Sequence, residues 1–226
     1  MKKAPGVLLF ALLLLPMAAS AQVTLGLRAS YGVPSGDAYE NSGLGMFKQS
    51  GLASRQVPLQ LDASWRLTPG VSAGLYLGYG LGQTGSRLKD LCAAPGSSCD
   101  SPTFLRYGAQ AAYTFRRGAS VDPWLGVSAG LQSASFAVRN FLYDPLTPRS
   151  ADLKGTLRGW EAGVEGGVDR PVARSFSLGA FLAYGFGQYT VQHVTLSDQG
   201  TVAGGGVDSA KTHQWINLGL RGRYDL

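Results

Sequence analysis

The feature that most constrains this chain is a period-two alternation of apolar and polar residues, repeated eight times. Successive side chains of a β-strand point to opposite faces, so such a pattern marks a strand with one apolar face. In 23–33 one face reads Val23, Leu25, Leu27, Ala29, Tyr31, Val33 and the other Thr24, Gly26, Arg28, Ser30, Gly32. The same alternation fills 57–67, 71–82, 105–115, 124–132, 159–169, 176–186 and 215–226. Segments of about ten residues match the length a tilted strand needs to cross a bilayer. The pattern predicts an all-β fold, an eight-stranded antiparallel up-and-down transmembrane β-barrel.

Alternation alone does not say which face is inside. A soluble barrel or sandwich would bury the apolar face and solvate the other. Within the eight segments the apolar faces carry no charge, while the other faces carry Arg28, Asp62, Arg66, Arg106, Glu161, Glu165, Asp169, Arg221, Arg223 and Asp225. Tyr31, Trp65, Tyr79, Phe115, Trp160, Phe176, Phe186 and Tyr224 lie toward the ends of the apolar faces. Rings at those positions suit a membrane–water interface and predict two aromatic girdles. Charged residues make up 15% of the chain and glycine contributes 32 residues. A soluble domain carries about 25% charged residues, so the glycine-rich face is too sparsely charged for a solvated surface. The net charge of +6 is scattered rather than clustered and predicts no nucleic-acid partner.

The chain start supports an exported barrel. Lys2 and Lys3 precede an uncharged apolar run over 7–15, Pro16 breaks it, and Ala19-Ser20-Ala21 has the form a signal peptidase accepts. Residues 1–21 are read as a signal peptide and 22–226 as the barrel. The alternative, a membrane anchor, fails on length, because the run is well short of the ~20 residues a spanning helix needs. The links alternate in length. Those around 68–70, 116–120 and 170–174 are short, and those at 34–54, 84–103, 137–156 and 190–212 are long and polar. That rhythm predicts short periplasmic turns, long external loops and both termini in the periplasm of a bacterial outer-membrane protein.

On these grounds the chain resembles the small outer-membrane barrel family typified by OmpX and the transmembrane domain of OmpA. Ile216, Leu218, Leu220, Tyr224 and Leu226 resemble the C-terminal strand that the barrel-assembly machinery recognises in that family, although members usually end in Phe. Pro123-Trp124-Leu125-Gly126-Val127 resembles a common start of a barrel strand there. The resemblance implies outer-membrane lipids, lipopolysaccharide and the assembly machinery as partners, and a monomer.

Candidate sites follow from the polar face. Eight strands leave a lumen that side chains nearly fill, and an unpaired charge there is costly. Arg28, Arg66, Arg106, Arg221 and Arg223 therefore face Asp62, Glu161, Glu165, Asp169 and Asp225 as an expected salt-bridge network. The favoured reading is a structural plug and the sharper one a narrow ion path. Trp124, Trp215, Tyr76 and Phe181 are expected to fill gaps left by inward glycines. Cys92 and Cys99, the only cysteines, are expected to form a disulfide in the second long link; no histidine lies nearby, so a metal is not expected, and neither is a cofactor. Lipid A deacylases carry a His-x-Ser-Asn run in their late strands. Here His213-Gln214-Trp215-Ile216-Asn217 lacks the serine, and His193 lies in the fourth long link, so no enzyme activity is expected.

Overall fold

The computed structural model describes residues 22–41, 45–115, 120–144, 149–207 and 209–226. The expected signal peptide, 1–21, and most of the 116–120 turn lie outside the described residues. In chain order the elements are β1 (Val23–Asn41), β2 (Gly45–Lys48), α1 (Gln49–Leu52), β3 (Ala53–Arg66), β4 (Val71–Thr84), α2 (Ser86–Leu91) and β5 (Ser98–Cys99). They continue as β6 (Thr103–Thr114), β7 (Asp122–Asp144), β8 (Arg149–Ala173), β9 (Phe176–Leu196), β10 (Gly200–Gly206), β11 (Ser209–Ala210) and β12 (Thr212–Asp225).

Eight of these strands close into an antiparallel ring, β1–β3–β4–β6–β7–β8–β9–β12, with β12 pairing back onto β1. Directly opposed residues can be followed once around it: Leu25, Ala63, Leu75, Ala109, Ala129, Ala162, Phe186, Gln214. The path returns to β1 at Ser35, ten residues above its start. Ten residues at ~3.4 Å, set against eight strand spacings of ~4.8 Å, tilt the strands by about 40°. The even offset keeps the two faces in phase around the closure, so every apolar face stays on the outside.

The outside is accordingly greasy. Leu27, Leu61, Leu75, Leu125, Leu182, Leu218 and Leu220 are all more than half exposed, up to 68% at Leu220. Lipid makes such a belt stable, and the closed ring leaves no sheet edge facing the hydrocarbon. The tilt sorts the outward aromatics into two rings. Trp65, Tyr113, Phe115, Phe176 and Tyr224 lie near the end that carries the termini and short turns, hereafter the turn end. Tyr31, Tyr79, Tyr107, Trp160, Tyr184 and Phe186 lie toward the opposite, mouth end. Edge-to-face pairs fix ring orientation in both: Tyr113 with Phe115 at 5.1 Å and Trp160 with Phe186 at 6.0 Å.

At the turn end Thr68 and Val71 exchange backbone hydrogen bonds across Pro69-Gly70, and the Leu226 amide bonds Val23 O at 2.9 Å. The mouth end departs from the sequence expectation. The links at 34–54, 137–156 and 190–212 are largely strand rather than loop: β7, β8 and β9 run for 23, 25 and 21 residues, about twice a membrane crossing. The wall continues past the outer aromatic ring, where water replaces lipid and the outward face no longer has to be apolar. The alternation that reveals a strand in lipid is therefore absent where the strand leaves it. The 84–103 link folds too, into α2 and β5, with β5 pairing to β7.

Candidate functional site

The lumen is built in tiers by inward residues of neighbouring strands. Nearest the turn end, Asp225 of β12 accepts a hydrogen bond from Thr24 Oγ1 at 2.6 Å and faces Arg66 Nη2 at 3.5 Å and Arg223 Nη2 at 3.7 Å. Above it Asp169 of β8 is held by two arginines of β12. Arg221 grips it in a two-pronged pair, with Nε at 2.7 Å from Oδ1, and Arg223 Nη1 adds a contact at 3.1 Å. Such forks suit guanidinium and carboxylate shapes and resist reorientation.

The middle tier centres on Arg28 of β1, which is 6% exposed. Its Nε lies 2.5 Å from Asp62, one Nη lies 2.5 Å from Glu165, and the other donates to Gln110 Oε1 at 3.1 Å. Asp62 also accepts from Gln60 Nε2 at 2.7 Å. Arg28 and Arg221 stand directly opposite each other across β1 and β12, an arrangement that like charges oppose. Trp124 of β7 relieves it by lying against both cations. Its ring sits 3.5 Å from the Arg221 guanidinium carbon and 5.7 Å from that of Arg28, and Phe181 lies 5.7 Å from Arg28 on another side. Each cation is thus drawn to its own carboxylates and screened by a π face.

Glycine supplies the room. A β-carbon on Gly26 would lie 2.8 Å from Asp62, one on Gly167 3.0 Å from Trp124, one on Gly219 2.8 Å from Phe181, and one on Gly130 2.5 Å from the Tyr76 hydroxyl. The abundant inward glycines are therefore the floor on which the large lumen side chains lie. Trp215 differs: it packs edge-to-face on Phe104 at 5.4 Å, in the mouth.

The next tier joins Tyr76, whose hydroxyl donates to Glu161 at 2.9 Å, with Arg106 at 3.6 Å from the same carboxylate. Here a cavity of about 70 Å3 is lined by Arg28, Tyr76, Arg106, Glu161, Glu165 and Asn217 among others. Arg106 Nη2 and Asn217 Oδ1 have no hydrogen-bond partner among the described residues, so the space suits a few bridging waters. A second cavity of about 30 Å3 lies on the far side of Arg28, toward Arg221 and Arg223.

The mouth is capped by an apolar cluster that sequence reading missed. Ala38, Leu52, Ala53, Leu88, Phe104, Ala134, Leu157, Tyr189 and Trp215 are buried together inside the ring's outer end, with Leu91, Phe136 and Val207 against them. Leu52 of α1 and Leu88 of α2 are folded in from the links. Tyr189 stacks on His213 at 4.3 Å and receives a hydrogen bond from Gln49 at 3.4 Å. A bulge at Thr190 shifts the β8–β9 register, so the inward set of β9 changes from Phe181 and Tyr189 to Gln192 and Leu196. The signal that marks the cap is a reversal of phase: inward Phe104, Leu157, Tyr189 and Trp215 are apolar where inward positions lower down are glycine or charged.

Each residue singled out from sequence has a definite place. Arg28, Asp62 and Glu165 meet in one tier, Arg106 meets Glu161, and Arg66, Arg221 and Arg223 join the Asp169–Asp225 ladder at the turn end. Gln110 completes the Arg28 tier without having been singled out, and Tyr76, expected only as a filler of the lumen, also hydrogen-bonds Glu161. The eight girdle aromatics all face outward, and Tyr107, Tyr113 and Tyr184 belong with them. Cys92 and Cys99 form a disulfide with Cα atoms 5.8 Å apart. Its loop is tied to β7 by a two-pronged Arg139–Asp100 pair at 3.1 Å per prong and by Ser97 donating to Asn140 O at 2.6 Å. His213 is buried and in side-chain contact with Gln132, while His193 is exposed on β9; neither is joined to a serine among the described residues.

No protein-family model matches the sequence, and no curated protein is significantly similar to it in sequence. Solved structures are similar in fold. Neisserial surface protein A is 17% identical, with 90% of this chain and 97% of that one aligned at a TM-score of 0.54. A major outer membrane protein from Thermus thermophilus is 14% identical over 89% and 99% of the two chains, at 0.55. Outer membrane protein AlkL in lipid bilayers is 14% identical over 91% and 90%, at 0.51. The fold of this chain is that of the small outer-membrane β-barrels.

Proposed function

We propose that this protein is a monomeric barrel of a bacterial outer membrane, closed along its axis, whose work is structural and done at the surface by its mouth end. The single observation that carries this reading is the filled lumen. Ion-paired tiers occupy it from the turn end to its middle, the two spaces on either side of Arg28 hold about 70 and 30 Å3, and the apolar cluster fills the mouth. The lipid-facing belt and paired aromatic rings support membrane residence, and the fold supports the outer membrane as the place. Termini and short turns then face the periplasm, where β12 is presented to the assembly machinery. Lipopolysaccharide and outer-leaflet lipids surround the mouth-side ring.

This reading assigns the barrel no catalysis: His213 is stacked on Tyr189 and in contact with the Gln132 amide, and neither His213 nor His193 is joined to a serine among the described residues. Planar-bilayer recording of the refolded barrel tests closure: no discrete current steps are expected. Steps above background favour instead a narrow ion path through the two cavities past Arg28. Residence is tested by flotation with outer-membrane vesicles and by a shifted gel band in unboiled samples. A soluble product sinks it.

A further inference from the structure

We propose that the outer wall of β6, β7 and β8 carries a seat for one phosphorylated, multi-chain lipid of the outer leaflet, of the lipid A type. This rests on the outer-membrane reading above. A groove of about 550 Å3 opens on the lipid-facing side at the level of the mouth-side aromatic ring. Two cross-strand rows build it. Tyr107, Leu131 and Trp160 are opposed in register, and one step nearer the mouth so are Leu105, Ser133 and Arg158. Ser133 is the small member of its row, so the surface sinks there between the Tyr107 and Trp160 rings. Trp160 is held upright by Phe186.

The groove changes chemistry along its length, as a phosphorylated lipid does. Its membrane side is apolar, offering Tyr107, Leu131 and Trp160 to acyl chains. Its mouth side ends on Arg158, which is exposed and whose guanidinium has no hydrogen bond or ion pair among the described residues. Across the strands Arg158 faces Ser133 and Val191, neither of them a carboxylate. Lys154, four residues toward the mouth on the same face, is also exposed and unpaired among the described residues. The β9 bulge brings the Thr190 hydroxyl to 3.5 Å from Arg158 O, adding a hydroxyl at the rim. A guanidinium and two hydroxyls at the groove's mouth end fit a phosphate held there by its own acyl chains, with Lys154 adding positive charge farther toward the mouth. Another outward cation above the ring, Arg55, is already engaged by Gln83 and by Tyr31 Oη at 3.4 Å, which makes it the internal control.

The test is native mass spectrometry of the full barrel, folded in detergent and offered bis-phosphorylated lipid A, the same lipid stripped of phosphate, or phosphatidylglycerol. Wild type should retain one bis-phosphorylated lipid preferentially, and millimolar inorganic phosphate should not displace it. Arg158→Ala should lower retention about fivefold. Ser133→Trp, which fills the groove and leaves Arg158 in place, should lower it comparably, and Arg55→Ala should not. Equal retention of the stripped lipid, an equal fall in Arg55→Ala, or displacement by free phosphate overturns the seat. Because the assay uses purified barrel, a failed fractionation experiment sinks the outer-membrane reading without touching this result. Unselective retention by a barrel that does float with outer membranes sinks the seat alone.

Discussion

The two halves of the barrel are chemically inside out with respect to each other. Between the aromatic rings the wall is apolar outside and charged inside: Leu220 is 68% exposed while Arg28 is 6% exposed. Past the mouth-side ring the same strands turn Asp152, Lys154 and Arg158 outward on β8 and bury Leu157 among Phe104, Tyr189 and Trp215. The backbone does not change; the solvent outside it does. In lipid the hydrophobic effect gives no reason to bury leucine in the lumen, so the interior is free to hold charges provided they pair. In water the ordinary rule returns and the interior becomes an apolar core. The aromatic rings mark where one regime gives way to the other.

The largest effect should come from breaking the charged interior. Asp169→Ala removes the partner of Arg221 and one partner of Arg223, and leaves Arg221 buried opposite Arg28. Orphaning a buried pair in this way costs about 3–5 kcal/mol. Urea unfolding in lipid vesicles, followed by tryptophan fluorescence, reads the loss directly, because Trp124 lies on Arg221. A cost below about 1 kcal/mol would mean that water, rather than Asp169, satisfies those arginines.

A single outward charge sharpens the contrast. Leu220→Arg places a guanidinium near mid-membrane on the lipid face and should cost about 2–4 kcal/mol. Thr156→Arg places the same guanidinium on the outward face of β8 past the ring and should stay within about 0.5 kcal/mol. Equal costs at the two sites in the vesicle assay would refute a boundary between lipid and water at the mouth-side ring.

The same contrast explains what was legible in the sequence. All eight ring strands were readable because lipid forces one face to be apolar, and period two then shows as at Leu25, Leu27, Ala29 and Tyr31. Their extensions at 137–144 and 149–156 were not, because in water neither outward Lys154 nor inward Ala151 disturbs a loop-like composition. The charged members of the lumen were visible as inward parity at Arg28, Asp62 and Glu165. Their pairing was not, since Arg28 reaches Glu165 only through a ten-residue stagger that no single strand records. The cap stayed hidden for a further reason: Leu52 and Leu88 come from short helices in polar links, and a lone leucine there carries no period.

The smallest expected effect concerns how the mouth is finished. The Cys92–Cys99 bridge closes a short loop between α2 and β5, so removing it releases the entropy of that loop, about 2–3 kcal/mol against the unfolded segment. The lumen tiers do not touch this loop, and β5 is held to β7 by backbone pairs and by the exposed Arg139–Asp100 fork, a solvent-screened pair that adds little. The double change Cys92→Ser and Cys99→Ser should therefore speed protease cleavage within 92–99 while the unboiled gel mobility of the barrel is unchanged. Faster cleavage with an unchanged barrel separates the mouth from the membrane-embedded half as an independent unit of stability. Loss of the folded band would instead tie the two halves into one cooperative structure through Leu88, the cap residue that the bridged link supplies.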